Sequence, residues 1–479
     1  MLITASMIFI SGRGKTEATT SLAGQDTHIP KGLVGVYLTA KCTGDRLTLK
    51  DPVEFHRKHT SATIYIEPDL KHQEIEGFGG AFTESAAYAL SKVSPEKREE
   101  VIKAYFDPLE GLGYSLCRTH INSCDFSLGN YSYVETPDDT ELKDFNIQRD
   151  KNLLIPLIKD AMAVSGSSFK ILASPWSPPA WMKTNGKMND GGKLKPEYAG
   201  TWAQYFIKYI KAYAAEGINI WGVSVQNEPD ATQRWDSCRY SAGEERDFVK
   251  NHLGPALSKQ QLDSVKVIVW DHNKNNIVNR AKDILSDPNA ARYIWGTGYH
   301  WYRGEYLNDL ARLNNMYPDK KLLPTEGCIE DGPKVGEWYT GEKYGRSIIG
   351  DLNHYAAGWI DWNMVLDEHG GPNHADNFCD APVIADGETN RIFYNSSYYY
   401  IGHFSKFIRP GAVRIGCKIN NSKLRATAFQ NTDGKIAVVV MNDSGKRIKF
   451  SLGQAGGAAH LTSPAHSIMT LLIAPETVI

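Results

Sequence analysis

No stretch of the 479 residues approaches the ~20 consecutive apolar residues that a membrane-crossing helix requires. No long block of one charge sign occurs either: 53 Lys and Arg stand against 55 Asp and Glu, a net charge of −2. A chain so balanced carries no electrostatic footprint for nucleic acid or an anionic membrane surface. The seven cysteines are scattered and lack CxxC spacing, which argues against a structural zinc site and a disulfide framework. HxH and HExxH pairs are missing, so no metal is implied. GxGxxG after a strand and GxxxxGKS/T are missing too, so no nucleotide cofactor is implied. There is no GxSxG nucleophile elbow.

What is present is a large apolar and aromatic supply. The 42% hydrophobic content excludes a disordered chain, and 11 Trp, 24 Tyr and 16 Phe can furnish both a big core and a cleft that stacks on sugar rings. The first ten residues are apolar and are followed by Ser11-Gly12. This resembles a secretory signal without its basic start, so residues 1–28 are set apart as a signal-like or disordered terminus and a secreted or periplasmic location is expected.

From about residue 74 to 366, strand-like and helix-like patterns alternate. Residues 74–80, 114–121, 169–176, 220–228, 265–271, 293–300, 321–326 and 359–365 read as eight strands. Between the third and fourth, Trp202, Tyr205, Phe206, Tyr209, Ile210 and Tyr213 repeat with the helix period over residues 199–216, and Gly217 stops the pattern. Eight such units predict an α/β fold, a (β/α)8 TIM barrel over residues 75–405 with catalytic groups at the carboxyl ends of its strands. After about residue 409 the segments become short and β-rich, with turns at 431–434 and 442–445. The segments at 32–40, 46–50 and 62–67 read alike. Residues 30–70 plus 410–479 are therefore expected to form one appended β-sandwich built from both chain termini.

Several strand ends carry chemistry. Gln226-Asn-Glu-Pro229 puts Asn227 and Glu228 where the fourth strand enters its loop. Glu228 there is a general acid or a salt-bridged loop carboxylate. Glu326 ends the seventh strand, three βα units on, and can face Glu228 across the barrel mouth. Opposed carboxylates are what glycoside hydrolysis requires: about 5–5.5 Å apart in a retaining enzyme, about 6.5–9.5 Å in an inverting one. Asp125 after strand two could accept from two adjacent hydroxyls. Trp176 and Trp181 after strand three, and Trp362 at strand eight, offer flat faces to a sugar or fill loop core. His300 and Tyr302 follow strand six, and Asp271-His272 ends strand five with a weaker claim to substrate contact.

Together, Gly77-Phe-Gly-Gly-Ala-Phe-Thr-Glu84, Ser123-Cys-Asp-Phe126, Leu172-Ala-Ser-Pro-Trp-Ser177, Gln226-Asn-Glu-Pro229, His300-Trp-Tyr302, Thr325-Glu-Gly-Cys328, Gly370-Gly-Pro-Asn373 and Gly402-His-Phe-Ser-Lys-Phe407 resemble glycoside hydrolase family 30. The likeness covers about residues 70–475 and is greatest to the branch of glucosylceramidases and microbial β-1,6-glucanases. It implies a barrel with a β-sandwich and a retaining double displacement on β-glucosidic bonds, with Glu228 as acid/base and Glu326 as nucleophile. It implies that Asn227 meets the 2-hydroxyl, that Asp125, Trp176 and Trp362 grip the terminal glucose, and that His300, Tyr302 and Asn377 line the rim. The stretch 230–238 is shorter than its counterpart in the animal lipid hydrolases. The resemblance thus favours a β-1,6-glucanase, with a glucosylceramidase as the alternative and a non-catalytic glycan-binding protein as a remote one.

Overall fold

The computed structural model describes residues 32–57, 63–166, 169–454 and 457–475; the signal-like segment lies outside them. The barrel strands are β1 (Gly77–Phe82), β2 (Leu116–Ile121), β3 (Lys170–Pro175), β4 (Gly222–Ser224), β5 (Lys266–Asn273), β6 (Ile294–His300), β7 (Lys321–Glu326) and β8 (Gly358–Asn363). Parallel pairing runs in order from β1 to β7 and from β8 to β1. A single Leu322–Ala356 bridge and the Ala357 N–H to Leu322 carbonyl bond join β7 to β8, so the barrel is nearly closed.

Both faces of these strands are covered, which is why they read as apolar runs and not as alternations. Leu116, Leu172, Ile268, Leu323 and Ile360, one each from β2, β3, β5, β7 and β8, pack together as a small apolar cluster. This is the side-chain filling that makes a barrel of this kind a packed core and not a pore. Gly79 is dictated by closeness: a Cβ there would stand 2.1 Å from the Leu116 carbonyl oxygen. The helix Ala199–Ala215 buries all six of its periodic aromatic and aliphatic residues, and Gly217 follows at φ +81°, the left-handed position that ends helices cheaply.

The second unit holds nine strands among the described residues, hydrogen-bonded all the way round. Leu33–Ala40, Thr48–Arg57 and Ile64–Glu74 come from the amino-terminal side and six strands between Val413 and Ile473 from the other. Leu33–Ala40 lies between Thr48–Arg57 and Ser467–Ile473, so neither terminus can form its sheet alone. One strand, Gly457–Ser463, is absent from the sequence reading: its Gly-Ala-Ala start lacks the branched and aromatic residues that advertise a strand. A small sheet of Val365–Leu366, Val383–Asp386 and Arg391–Tyr394 was also not foreseen, and it brackets the loop that carries Asn373 and Asn377. No helix among the described residues is long and apolar enough to cross a membrane.

Candidate active site

A cleft of about 720 Å³ opens at the carboxyl ends of the strands, and Asp125, Trp176, Asn227, Glu228, Tyr302, Glu326, Trp362 and Asn377 all line it. His300 lies just beneath, fully buried, with Nδ1 3.1 Å from Glu228 Oε1 and 3.8 Å from Glu326 Oε1. The structure thus gathers Asp125, Trp176, Asn227, Glu228, His300, Tyr302, Glu326, Trp362 and Asn377 at one cleft.

The local backbone explains how. β4 pairs only through Ser224, shorter than expected, and the chain then turns so that Glu228 sits at φ +48°. A left-handed non-glycine residue is strained and persists only where its surroundings hold it; here its amide donates to the Asp271 carbonyl at 3.0 Å. β5 carries a register irregularity between Trp270 and His272, and β7 one between Pro324 and Glu326. Such bulges re-aim side chains at the rims of barrels. In β5 the bulge turns Asp271 into the core while His272 faces the cleft.

At the floor is Arg118 of β2, fully buried and absent from the sequence reading. Its guanidinium donates to Glu326 Oε2 at 2.6 Å, Asp271 Oδ2 at 2.8 Å, Asn227 Oδ1 at 2.9 Å and Ser174 Oγ at 3.1 Å. A planar fork of five donors suits such a task, and a lysine could not span it. An arginine inside the otherwise apolar run Leu116-Cys-Arg-Thr-His-Ile121 was the available signal. Glu326 is fixed further by the Tyr302 hydroxyl, which donates to Oε1 at 2.9 Å. Because Arg118 occupies the Asn227 oxygen, that amide presents its NH₂ as the remaining polar group.

Asp271 is a buttress with no face on the cleft. It accepts from Arg118, Ser224 (2.6 Å), Thr325 (2.6 Å) and Ser174 (3.1 Å). Burial works to raise its pKa, but Arg118 and His300 hold it well below the usual carboxylate range. His300 stands between Asp271 Oδ1 (3.1 Å) and Glu228 Oε1. Burial pulls its pKa down, yet Glu326, Asp271 and Glu228 together push it up to about 9. Glu228 is buried enough to favour its neutral form, but the imidazoles of His272 and His300 beside it hold its pKa well below the ordinary range.

Asp125 takes the amides of Asn377 (3.0 Å) and Asn373 (3.2 Å) on Oδ2; burial raises its pKa to about 7 against those bonds. Trp176 and Trp362 stack on each other, centroids 5.0 Å apart and planes 22° from parallel, and both lie over Arg118. They form one aromatic wall where the sequence suggested separate platforms. Trp181 is elsewhere: it packs edge-on against Tyr198 and donates to the Val134 carbonyl, so it is loop core.

Paired carboxylates at a barrel rim, one anchored by arginine and tyrosine and one flanked by imidazoles, beside a buried aspartate and an aromatic wall, are the parts of a glycoside hydrolase. Residues 75–408 match the glycosyl hydrolase family 30 TIM-barrel domain and residues 411–471 the glycosyl hydrolase family 30 beta sandwich domain. The chain belongs to glycosyl hydrolase family 30. It is similar to the lysosomal acid glucosylceramidase of Mus musculus, 34% identical over 88% of this chain and 85% of the mouse protein. Among solved structures it resembles SrfJ from Salmonella typhimurium, 36% identical with a TM-score of 0.89 over 92% of this chain and 100% of that one. It also resembles the endo-β1,6-glucanase BT3312, 32% identical with a TM-score of 0.87 over 93% and 100%.

Proposed function

We propose that this glycosidase hydrolyses β-glucosides with retention of configuration, Glu326 attacking the anomeric carbon and Glu228 serving as acid/base, and that its physiological aglycone is a sugar. The carrying observation is the placement of both carboxylates around one imidazole. With His300 Nδ1 3.1 Å and 3.8 Å from their Oε1 atoms, those oxygens are less than about 7 Å apart, a bound that admits the about 5–5.5 Å of a retaining pair and leaves only the bottom of the about 6.5–9.5 Å inverting range. Arg118, donating to Oε2 at 2.6 Å, holds Glu326 in place to form the glycosyl bond. The proton for the leaving oxygen belongs to the Glu228–His300 pair, in which the imidazole Nδ1 stands 3.1 Å from Oε1. In the second step Glu228 takes a proton from the water that releases the sugar.

Beyond Glu228 the cleft is lined by Asp230, Thr232, Gln233, Asn275, Asn276 and Arg303, with Ala231, Trp235 and Trp270 as its apolar members. Polar side chains of this kind pair with hydroxyls and are costly to cover with an alkyl chain. That supports a β-1,6-glucan over a glucosyl lipid. The lipid reading rests on the 34% identity to the mouse glucosylceramidase. Product analysis on pustulan-type β-1,6-glucan beside a β-glucosyl lipid discriminates them: the expected result is faster release of glucose or gluco-oligosaccharides from the glucan, with the β-anomer formed first by NMR. Faster lipid cleavage would reverse the aglycone assignment, and an initial α-anomer would end the retaining one.

A further inference from the structure

Two imidazoles from neighbouring strands converge on one oxygen of Glu228. His272, in the bulged end of β5, and His300, which closes β6, place their Nδ1 atoms 3.3 Å and 3.1 Å from Oε1. One ligating atom from each of the three residues lies within 4.8 Å of the other two. Zinc binds imidazole nitrogen at about 2.0–2.1 Å and carboxylate oxygen at about 2.0–2.2 Å, so adjacent ligand atoms of a tetrahedral site stand about 3.3 Å apart. Both Nδ1–Oε1 separations have that length. We propose that Glu228, His272 and His300 form a binding site for a divalent transition-metal ion of the zinc class, open to the cleft at its fourth position, and that the bound ion inhibits the enzyme.

Both rings are oriented by partners outside the triad. Nε2 of His300 faces Asp271 Oδ1 at 3.1 Å, and Asp271 is itself anchored by Thr325, the carboxylate–histidine arrangement that aims the other ring nitrogen at a metal, which binds there by displacing the Nδ1 proton. The Asn273 oxygen accepts the Tyr302 N–H at 2.9 Å, which leaves its NH₂ facing His272 Nδ1 at 3.3 Å. That nitrogen therefore meets a donor on one side and a carboxylate oxygen on the other. The nitrogen has a single lone pair, so a cation bound between it and Glu228 takes that lone pair from the Asn273 NH₂.

Charge and access point the same way. Asp125, Glu228, Asp230, Glu326 and Glu330 line the cleft, while Arg303 is the one Lys or Arg among its lining residues. Two nitrogens and one oxygen suit zinc, cobalt, nickel or copper, whereas magnesium and calcium take oxygen sets. A second grouping, Glu368, His369 and Glu388, has two exposed members and no comparable anchoring, and it carries nothing. An ion on Glu228 Oε1 ties up the group that must pass a proton to the leaving oxygen, so the consequence is loss of glycosidase activity.

The test begins without substrate, and so stands apart from the identity of the glucoside. Co²⁺ titrated into the full chain should give the visible bands of a four- or five-coordinate nitrogen–oxygen site, saturating at one ion per chain and displaced by Zn²⁺. His272→Ala should weaken binding at least about tenfold with the far-UV spectrum unchanged, and His272→Gln serves if the alanine variant does not fold. Zn²⁺ should inhibit hydrolysis of p-nitrophenyl β-glucoside, a chelator should restore it, and His272→Ala should raise the inhibitory concentration to match. Undiminished Co²⁺ binding in a folded His272 variant, sulfur-to-cobalt charge-transfer bands from the cleft-lining thiols of Cys328 and Cys379, or no binding at millimolar Co²⁺ would each overturn the site.

Discussion

The two oxygens of Glu326 have separate partners, Arg118 on one and the Tyr302 hydroxyl on the other, whereas Glu228 meets imidazoles. From that difference the two roles can be told apart by experiment. Glu326→Gln should abolish turnover on every glucoside. Glu228→Gln should slow poor leaving groups severely while sparing much of the glycosylation rate with dinitrophenolate, which departs without a proton. Azide should then trap a β-glucosyl azide; equal losses on both leaving groups with no azide product would contradict the assignment. Asp125 offers a pH test. With its pKa raised to about 7 by burial, it is mostly neutral at pH 5 and charged at pH 8. A carboxylate accepts from two hydroxyls where the acid accepts less well, so KM for aryl β-glucosides should fall as pH rises through about 7. Asp125→Asn should raise KM and flatten that limb; a limb that persists in the variant belongs to another group.

At the scale of elements, closeness between strands sets the tolerances. β1 and β2 approach so nearly at Gly79 that an added methyl meets backbone, the Leu116 carbonyl at 2.1 Å, and no side chain can swing aside. Gly79→Ala should cost at least about 3 kcal/mol, above the middle of the range for overpacked sites, measured as a lowered urea midpoint. Wild-type stability in that variant would mean the two strands are further apart. The bulged ends of β5 and β7 and the short β4 show a second lesson. Eight strands were legible from alternation with helices, because fully apolar runs and the 3.6-residue period survive in sequence. Where each strand leaves its ladder was not, since that depends on what the neighbouring strand offers.

For the whole molecule, barrel and sandwich meet in a shared apolar seam, beside which the sandwich keeps a core of its own. Tyr37, Val439, Met441, Ile468 and Leu472 of the sandwich strands cluster with Phe78, Phe404 and Phe407 of the barrel side. At the centre of that seam His403, on the helix Ser396–Ser405, bonds Thr39 and Thr470 at 2.9 Å each, and burial drives its pKa down to about 3. Calorimetry should show one unfolding transition; two separated transitions would mean the units fold independently. A folded pKa depressed below the ordinary 6.5 means the neutral ring's contribution is complete above pH 6.5 and lost as pH falls toward about 3. The loss is on the order of a few kcal/mol. His403→Gln should therefore lower Tm at pH 7.5, with the gap to wild type narrowing by pH 4.5; a gap that does not change with pH would show that His403 does not titrate on unfolding.

The amino-acid sequence by itself determined the alternation of strands and helices, the switch to short strands near residue 409, and the two glutamates at strand ends. These are properties of neighbours along the chain: period, turn chemistry, and where an apolar run stops. Only the tertiary structure decided the rest. The acceptors of Arg118 on Asn227, Asp271 and Glu326 lie 109, 153 and 208 residues away, so its charge in a buried strand had no local explanation. The Trp176–Trp362 stack, the burial of Asp271 and the approach of His272 to Glu228 depend likewise on strands that meet only when the barrel closes. Side-chain function here is set by who stands opposite across the cleft, and that is a property of closure, to which no single stretch of chain has access.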